Sequence, residues 1–211
     1  RVLFRSIWSE DFASGIPAGW SNTTSTPNGL WVYRGPLTTP SNTSGSIGAY
    51  SGVSNNPPTN APIASPTTAN GFVIFDSDYL DNGGVPGNFG LGVAPSPHFA
   101  SLTTSNINLN ANPNVELSFS QYYRRFGGGA ASDQEIPATY VSFSTDGGTT
   151  WTNRVTLNRE VFVNYATTNG QRISMNVSCF IGGSSTAKIR FEFDGDYYFW
   201  MLDDIELNVA P

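Results

Sequence analysis

One cysteine, one histidine, one lysine and two methionines stand among 211 residues. Each shortage closes a class of reading. The lone thiol, Cys179, permits no internal disulfide, and its plain role is that of a small hydrophobe. The lone histidine, His98, would have to serve any Ser–His–Asp or Cys–His set, and its Pro-rich loop suits neither. Charged residues make up 12% of the chain and the net charge is -6, with nine Arg against the single Lys. Such a chain has no electrostatic footprint for nucleic acid or for an anionic membrane surface. No apolar run reaches the roughly 18 residues that span a bilayer. Phosphate loops, dinucleotide fingerprints and zinc spacings are missing, and helical periodicity is nearly so. Paired carboxylates for glycoside hydrolysis stay open on sequence grounds.

What is present is period two. Val115, Leu117, Phe119 and Gln121 alternate with Glu116, Ser118, Ser120 and Tyr122, and Ala187, Ile189, Phe191 and Phe193 with Lys188, Arg190, Glu192 and Asp194. These are half-buried strands. Further strands are expected at Val2–Trp8, Trp31–Arg34, Gly71–Phe75, Phe99–Thr103, Thr139–Ser144, Trp151–Leu157, Gln171–Val177 and Trp200–Val209. The 22 Gly and 14 Pro punctuate them. The pattern predicts an all-β fold: a two-sheet antiparallel β-sandwich, or jelly roll, with long surface loops. The length suits one domain over residues 1–211. A polar excursion is expected at 35–70, with shorter loops at 80–98 and 127–137.

Low charge with abundant Asn, Ser, Thr and Gly predicts a secreted or cell-surface protein. A start at Arg1 instead of Met predicts processing or trimming. With no disulfide available, a bacterial source is favoured, and calcium is the natural staple.

Three motifs carry chemistry. Ser144-Thr145-Asp146-Gly147-Gly148-Thr149-Thr150-Trp151 fits the Asp-box spacing and reads as a structural hairpin. Asp146 caps turn amides, the glycines take positive φ and Trp151 packs back. Carboxylates inside apolar strands form the second motif: Glu10 and Asp11 near the start, Asp76 and Asp78 after Phe72–Phe75, Asp203 and Asp204 near the end. An unpaired carboxylate is costly to bury, and hard oxygen clusters suit calcium, which takes six to eight oxygens. Asp11, Asp76, Asp78 and Asp204 are therefore expected to converge on one ion, with Glu10 and Asp203 as alternatives. The third motif is aromatic. Tyr122, Arg124 and Tyr198 are expected as exposed contacts that stack on and hydrogen-bond a sugar, beside the Gly127-Gly128-Gly129 run.

The order of these elements resembles the MAM-like jelly roll. It is most similar to the cleaved-adhesin domains of gingipain-type proteins and the related choice-of-anchor J modules of Bacteroidetes surface proteins. The residues that carry the likeness are Trp8–Phe12 with Gly15–Trp20, then Trp31, then Gly71–Asp78. Leu117–Phe119, Ser144–Trp151 and Trp200–Ile205 follow. The resemblance implies a β-sandwich with structural calcium at acidic strand ends. It also implies an accessory or adhesive role, and often export by the type IX secretion system. Animal MAM domains carry disulfides that this chain cannot form. The sequence shows no type IX sorting domain, so either its removal or a different route is expected, and Arg1–Arg5 precede the usual family start.

The expected function is thus a non-catalytic, calcium-stabilised adhesion or carbohydrate-binding module at the cell surface. Its partner would be a glycan or a host or cell-surface protein. The alternative is a subunit of an extracellular filament or sheath, in which the extension strand over residues 1–6 pairs with a neighbour by strand addition. A polysaccharide-acting enzyme, or its accessory domain, comes third.

Overall fold

The computed structural model describes residues 5–35, 61–85, 87–127 and 137–210. Eleven strands are found among them: β1 (Ser6–Glu10), β2 (Ser21–Thr24), β3 (Val32–Arg34), β4 (Phe72–Asp76), β5 (His98–Thr103), β6 (Val115–Arg124), β7 (Thr139–Ser144), β8 (Val155–Thr156), β9 (Gln171–Asn176), β10 (Lys188–Gly195) and β11 (Phe199–Val209). Two short helices, α1 (Ser77–Asn82) and α2 (Ser178–Ile181), and a 3-10 turn at Thr68–Asn70 complete the set.

The strands form two antiparallel sheets. One is ordered β3-β4-β11-β6-β9, with β1 also on β11; the other is β2-β5-β10-β7-β8. This is the expected sandwich. Inward residues of the two sheets meet in one large core. Phe75, Phe119, Trp200 and Leu202 face Leu102, Val141, Phe191 and Phe193 across it. Phe75 stacks on Phe193 at 4.6 Å, and Trp200 meets Trp31 at 5.5 Å. Aromatic pairs of this kind add about 0.5–1.5 kcal/mol beyond the area they bury.

The outer face of the first sheet is covered at one end by a second, smaller cluster: Ile63, Phe72, Ile74, Tyr122, Phe199 and Met201. Ile63 comes from the stretch expected as a polar surface excursion. Residues 36–60 of that stretch lie outside the described residues. Its last part, from 61 on, is tied to the sheet. The Asp box forms as expected. Ser144 Oγ donates to Asp146 Oδ1 at 2.7 Å, Thr150 donates from both N–H and hydroxyl, and Trp151 Nε1 donates to the Gly148 carbonyl. The Thr150 and Ser144 donors hold the Asp146 carboxyl well below the usual range.

Some element bounds differ from expectation. β2, four small polar residues, carries no apolar alternation and was not expected. The Trp151–Leu157 strand shrinks to β8. Arg1–Phe4 lie outside the described residues. From Arg5 onward the extension pairs with β11 of its own chain, Val209 N–H donating to the Arg5 carbonyl at 3.0 Å.

The most consequential local feature is in β11. Trp200 and Leu202 point into the main core, but so do Ile205 and Leu207. Even positions give way to odd ones because β11 carries one extra residue: Asp203 pairs with Ser120 and Glu206 with Ser118, three steps against two. Asp204 takes φ 47°, a left-handed conformation that costs a non-glycine residue about 1–3 kcal/mol. Deleting Asp204 is expected to restore a regular strand and leave both sets of core residues inward. The expected cost is only about 1–3 kcal/mol in chemical denaturation, because relief of strain offsets the lost side-chain bonds. Deleting Leu202 would place Asp203 in the core and is expected to abolish cooperative melting. Equal loss from the two deletions would contradict this reading of the bulge.

Candidate functional site

The six candidate carboxylates do not converge. They divide into two groups along β11. Asp76 lies opposite Phe199, and Asp204 is five residues further along, about 16 Å at the rise of a strand. No group of three or more His, Cys, Asp or Glu side chains among the described residues is close enough to hold one metal ion. A shared site for Asp11, Asp76, Asp78 and Asp204 is thereby corrected. The sequence places all four near strand ends, but β11 separates those ends by half its length.

The first group sits at the bulge, where β11 exchanges β4 for β1 as its neighbour. The extra residue puts Asp203 and Asp204 on the same outer face. Ser65 Oγ donates to Asp203 Oδ2 at 2.5 Å, and Thr67 Oγ1 donates to Asp204 Oδ1 at 2.6 Å. Arg172 Nη1 donates to the Asp204 carbonyl at 2.7 Å. Burial pushes the Asp203 carboxyl up to about 6, against the Ser65 bond, and Asp204 beside it adds to the rise. Asp11 accepts from Asn70 Nδ2 at 3.2 Å. Glu10 Oε1 accepts from the Phe12 N–H at 2.7 Å, and burial raises its carboxyl. Two further oxygens, Asn70 Oδ1 and Thr68 Oγ1, are buried without a hydrogen-bond partner.

The second group sits at the loop end of the same sheet. Asp76 forms a buried ion pair with Arg34 at 3.1 Å. Asp78 accepts the Tyr198 N–H at 3.0 Å and returns its own N–H to the Tyr198 carbonyl at 3.3 Å. This double link clamps an unusual backbone. Tyr197 and Tyr198 both lie in the left-handed region, at φ 52° and 54°. Two successive bulky residues there cost about 1–3 kcal/mol each, so the surrounding contacts must hold them. The Arg124 guanidinium packs 4.2 Å over the Tyr198 ring, a cation–π contact. Burial pushes the Asp78 carboxyl up to about 7, opposed by the Tyr198 N–H. Asp76 and Asp81 push the same way as burial, and Arg124 opposes them.

The clamp presents an aromatic rim. Phe126 meets Tyr197 at 4.7 Å and Tyr198 at 5.8 Å, and Phe89 meets Tyr197 at 5.6 Å. Phe89 and Leu91 are 47% and 74% exposed. Phe162 and Tyr165 extend the apolar surface, joined to the rim through Asn164, whose Nδ2 donates to the Gly127 carbonyl. Of the three expected sugar contacts, only Tyr198 is partly exposed. Tyr122 and Arg124 are buried. Tyr122 does face outward, as alternation requires, but residues distant in sequence cover that face. Phe89, a lone aromatic in a Gly- and Pro-rich loop, had no signal that would single it out. Tyr197 and Phe126 stood beside the expected contacts in sequence.

His98 has a partner that its loop context hid. Its Nε2 lies 2.7 Å from the Ala94 carbonyl, which can only accept, so Nδ1 accepts from Ser77 Oγ at 2.8 Å. Burial lowers the affinity of His98 for a proton. Ser77 and His98 are both buried, so this Ser–His pair ties the start of α1 to the start of β5.

No protein-family model matches the chain, and no curated protein matches it. Among solved structures it is similar to the K1 cleaved adhesin domain of Lys-gingipain from Porphyromonas gingivalis W83. The identity is 18% and the TM-score 0.53, over 97% of this chain and 98% of that one. It is likewise similar to the K3 cleaved adhesin domain of the same protein, with a TM-score of 0.51 at 18% identity, over 97% and 98% of the two chains. At this identity the likeness is one of fold: the chain has an adhesin-like β-sandwich.

The raised Asp78 carboxyl has a pH consequence with a definite sign. A group whose folded pKa lies above its ordinary value contributes stability that is present at low pH. That contribution is lost as pH rises through the folded value, here about 7. Asp78→Asn keeps an acceptor for the Tyr198 N–H and removes the titration. Its melting temperature, relative to the parent protein, is expected to rise between about pH 4 and pH 7 and to level off above that. A constant difference across that range would show that Asp78 does not titrate there.

Proposed function

We propose that the chain is a non-catalytic module that binds a glycan, or a glycan-bearing surface protein, through the rim of Phe89, Phe126, Tyr197 and Tyr198, outside the cell. The observation that carries the reading is the clamp on Tyr197 and Tyr198. Backbone strain held in place by a buried carboxylate is a recurrent mark of functional sites. Here it displays ring surfaces that would otherwise fold inward. Aromatic faces beside polar groups suit the apolar C–H patches and hydroxyls of sugars. The low charge with abundant Asn, Ser, Thr and Gly supports an extracellular setting. The fold shared with adhesin domains is compatible with this role, and the sealed Ser77–His98 pair offers no catalytic route. We read residues 1–211 as one unit.

The rim reading is tested on a glycan array with the full chain, followed by titration of the hits. Phe126→Ala and Phe89→Ser lie outside the main core. Each is expected to weaken binding by about tenfold or more, about 1.4 kcal/mol, with the melting temperature nearly unchanged. Unaltered affinity in both would remove the rim from consideration.

Calcium belongs to the same proposal, at the bulge and not at the loop end. The bulge fits a hard cation in part. Asp203 and Asp204 supply carboxylates, and Asn70 Oδ1 and Thr68 Oγ1 are buried oxygens in need of partners. A cation there would relieve the repulsion between adjacent carboxylates and tie β11 to the Thr68–Asn70 turn. Binding to the folded state alone raises stability by mass action. A chelator is expected to lower the melting temperature of the parent protein, calcium to restore it, and Asp204→Ala to abolish the response. Melting indifferent to chelator and calcium would end the calcium proposal.

A further inference from the structure

Residues 157–170 carry the chain from β8, at the edge of one sheet, to β9, at the edge of the other. Beside this crossing lies a recess of about 270 Å³, with Phe162, Tyr165, Glu160, Thr168 and Gln171 in its lining. Phe162 and Tyr165 are 77% and 65% exposed, and their rings meet edge to face at 6.3 Å. Neither ring gains the burial that stabilises the aromatic residues of the core.

The core fixes the polar side of the recess. Trp200 Nε1 can only donate, and it donates to Gln121 Oε1 at 3.0 Å. The Gln121 amide is thereby oriented, and its Nε2 donates to Asn158 Oδ1 at 2.6 Å and to Gln171 Oε1 at 3.0 Å. The Gln171 amide is oriented in turn. Its oxygen faces the buried network, and its Nε2 has no partner among the described residues. Gln171 is half-buried, and its Nε2 is open to solvent. Trp200 and Gln121 are fully buried, so this donor is held in advance by the rigid interior.

The recess also adjoins the rim. The Arg125 N–H donates to the Tyr165 carbonyl at 3.0 Å, and the Asn164 N–H to the Arg125 carbonyl at 2.9 Å. A Cβ on Gly127 would overlap Val163, so those two residues lie in contact. Phe126 stands between these attachments.

We infer that the recess holds one ring of a saccharide, with Gln171 Nε2 donating to one of its oxygens while Phe162 and Tyr165 pack against its C–H face. The inference rests on the glycan reading of this chain, but on none of the four rim side chains.

Size and chemistry select the ligand. The recess falls just under the usual range for small-molecule pockets, which suits a single ring. The ligand must accept at one point, offer hydroxyls to Glu160 and Thr168, and present an apolar face. A pyranose does all three. An aromatic side chain of a protein partner would use the two rings but strip water from the Gln171 amide without replacing it, which costs binding.

The test is an NMR titration of the full chain with cellotriose, xylotriose and maltotriose, with N-acetylphenylalanine amide as the protein-like comparison. The Gln171 side-chain amide and the Phe162 and Tyr165 rings report on the recess, and Phe126 and Tyr198 on the rim. At least one trisaccharide is expected to shift the recess signals and to saturate in the millimolar range or below. Gln171→Glu keeps an acceptor for Gln121 and removes the donor, so it should weaken the recess response about tenfold, read from the rings. Phe162→Ala and Tyr165→Ala, both at exposed positions, should each weaken it about tenfold, read from the Gln171 amide, and decide the matter if Gln171→Glu fails to fold. Phe126→Ala should leave the recess shifts in place. Shifts at the recess without shifts at the rim would support this site and remove the rim. Shifts confined to the rim would overturn this site and leave the rim standing. The proposal is also overturned if no trisaccharide moves the recess signals, if all three recess variants respond like the parent, or if N-acetylphenylalanine amide binds there more tightly than any trisaccharide, which would favour a protein ligand.

Discussion

β11 has to serve two masters along one edge. Over its first half that edge pairs with β4, and over its second half with β1, while β6 runs along the whole of the other side. The handover needs a change of direction, and the strand makes it by inserting one residue. The insertion shifts the inward positions from Trp200 and Leu202 to Ile205 and Leu207 without taking any of them out of the core. It also does what no regular strand can: it sets two consecutive side chains, Asp203 and Asp204, on one face. Their oxygens then recruit Ser65 and Thr67, and Arg172 donates to the carbonyl of Asp204. Much of the outer surface follows from this. The segment anchored by Ser65 carries Ile63 onto the sheet, and Ile63 helps to bury Tyr122 and Met201.

A similar logic governs the loop end. There a buried carboxylate, Asp78, is worth its desolvation because it holds two tyrosines in a backbone conformation they would not adopt alone. The two acidic groups look alike in sequence but differ in their partners. At the bulge, hydroxyls and amides surround the carboxylates and some oxygens are left over. At the loop end, arginines do the neutralising, Arg34 for Asp76 and Arg124 for the neighbourhood of Asp78.

Most of the architecture was legible as alternation. β6 and β10 read directly, because each turns apolar side chains to the core on alternate positions and mostly polar ones away from it, so period two shows in the sequence. The Asp box was equally legible, since all its bonds are local. β2 was not: Ser21–Thr24 are held in the sheet by pairing with β5, and their side chains carry no pattern. Tyr122 and Arg124 failed in another way. Their facing was right and their exposure wrong, because alternation says which side of a sheet a residue occupies and not whether something lies on top.

The sequence by itself determined the two-sheet sandwich, the hairpin at Asp146 and the identity of the acids that would need company, since each rests on local pattern or on the cost of burying charge. Tertiary structure alone decided which acids keep company with which. It separated Asp76 from Asp204 by the length of half a strand, sealed Ser77 and His98 away from solvent, and lifted Phe89, Phe126 and Tyr197 into one rim. Such outcomes depend on contacts between residues tens of positions apart. In a protein of long-range antiparallel pairings, those contacts are set by register and by one extra residue in β11, not by any segment read alone.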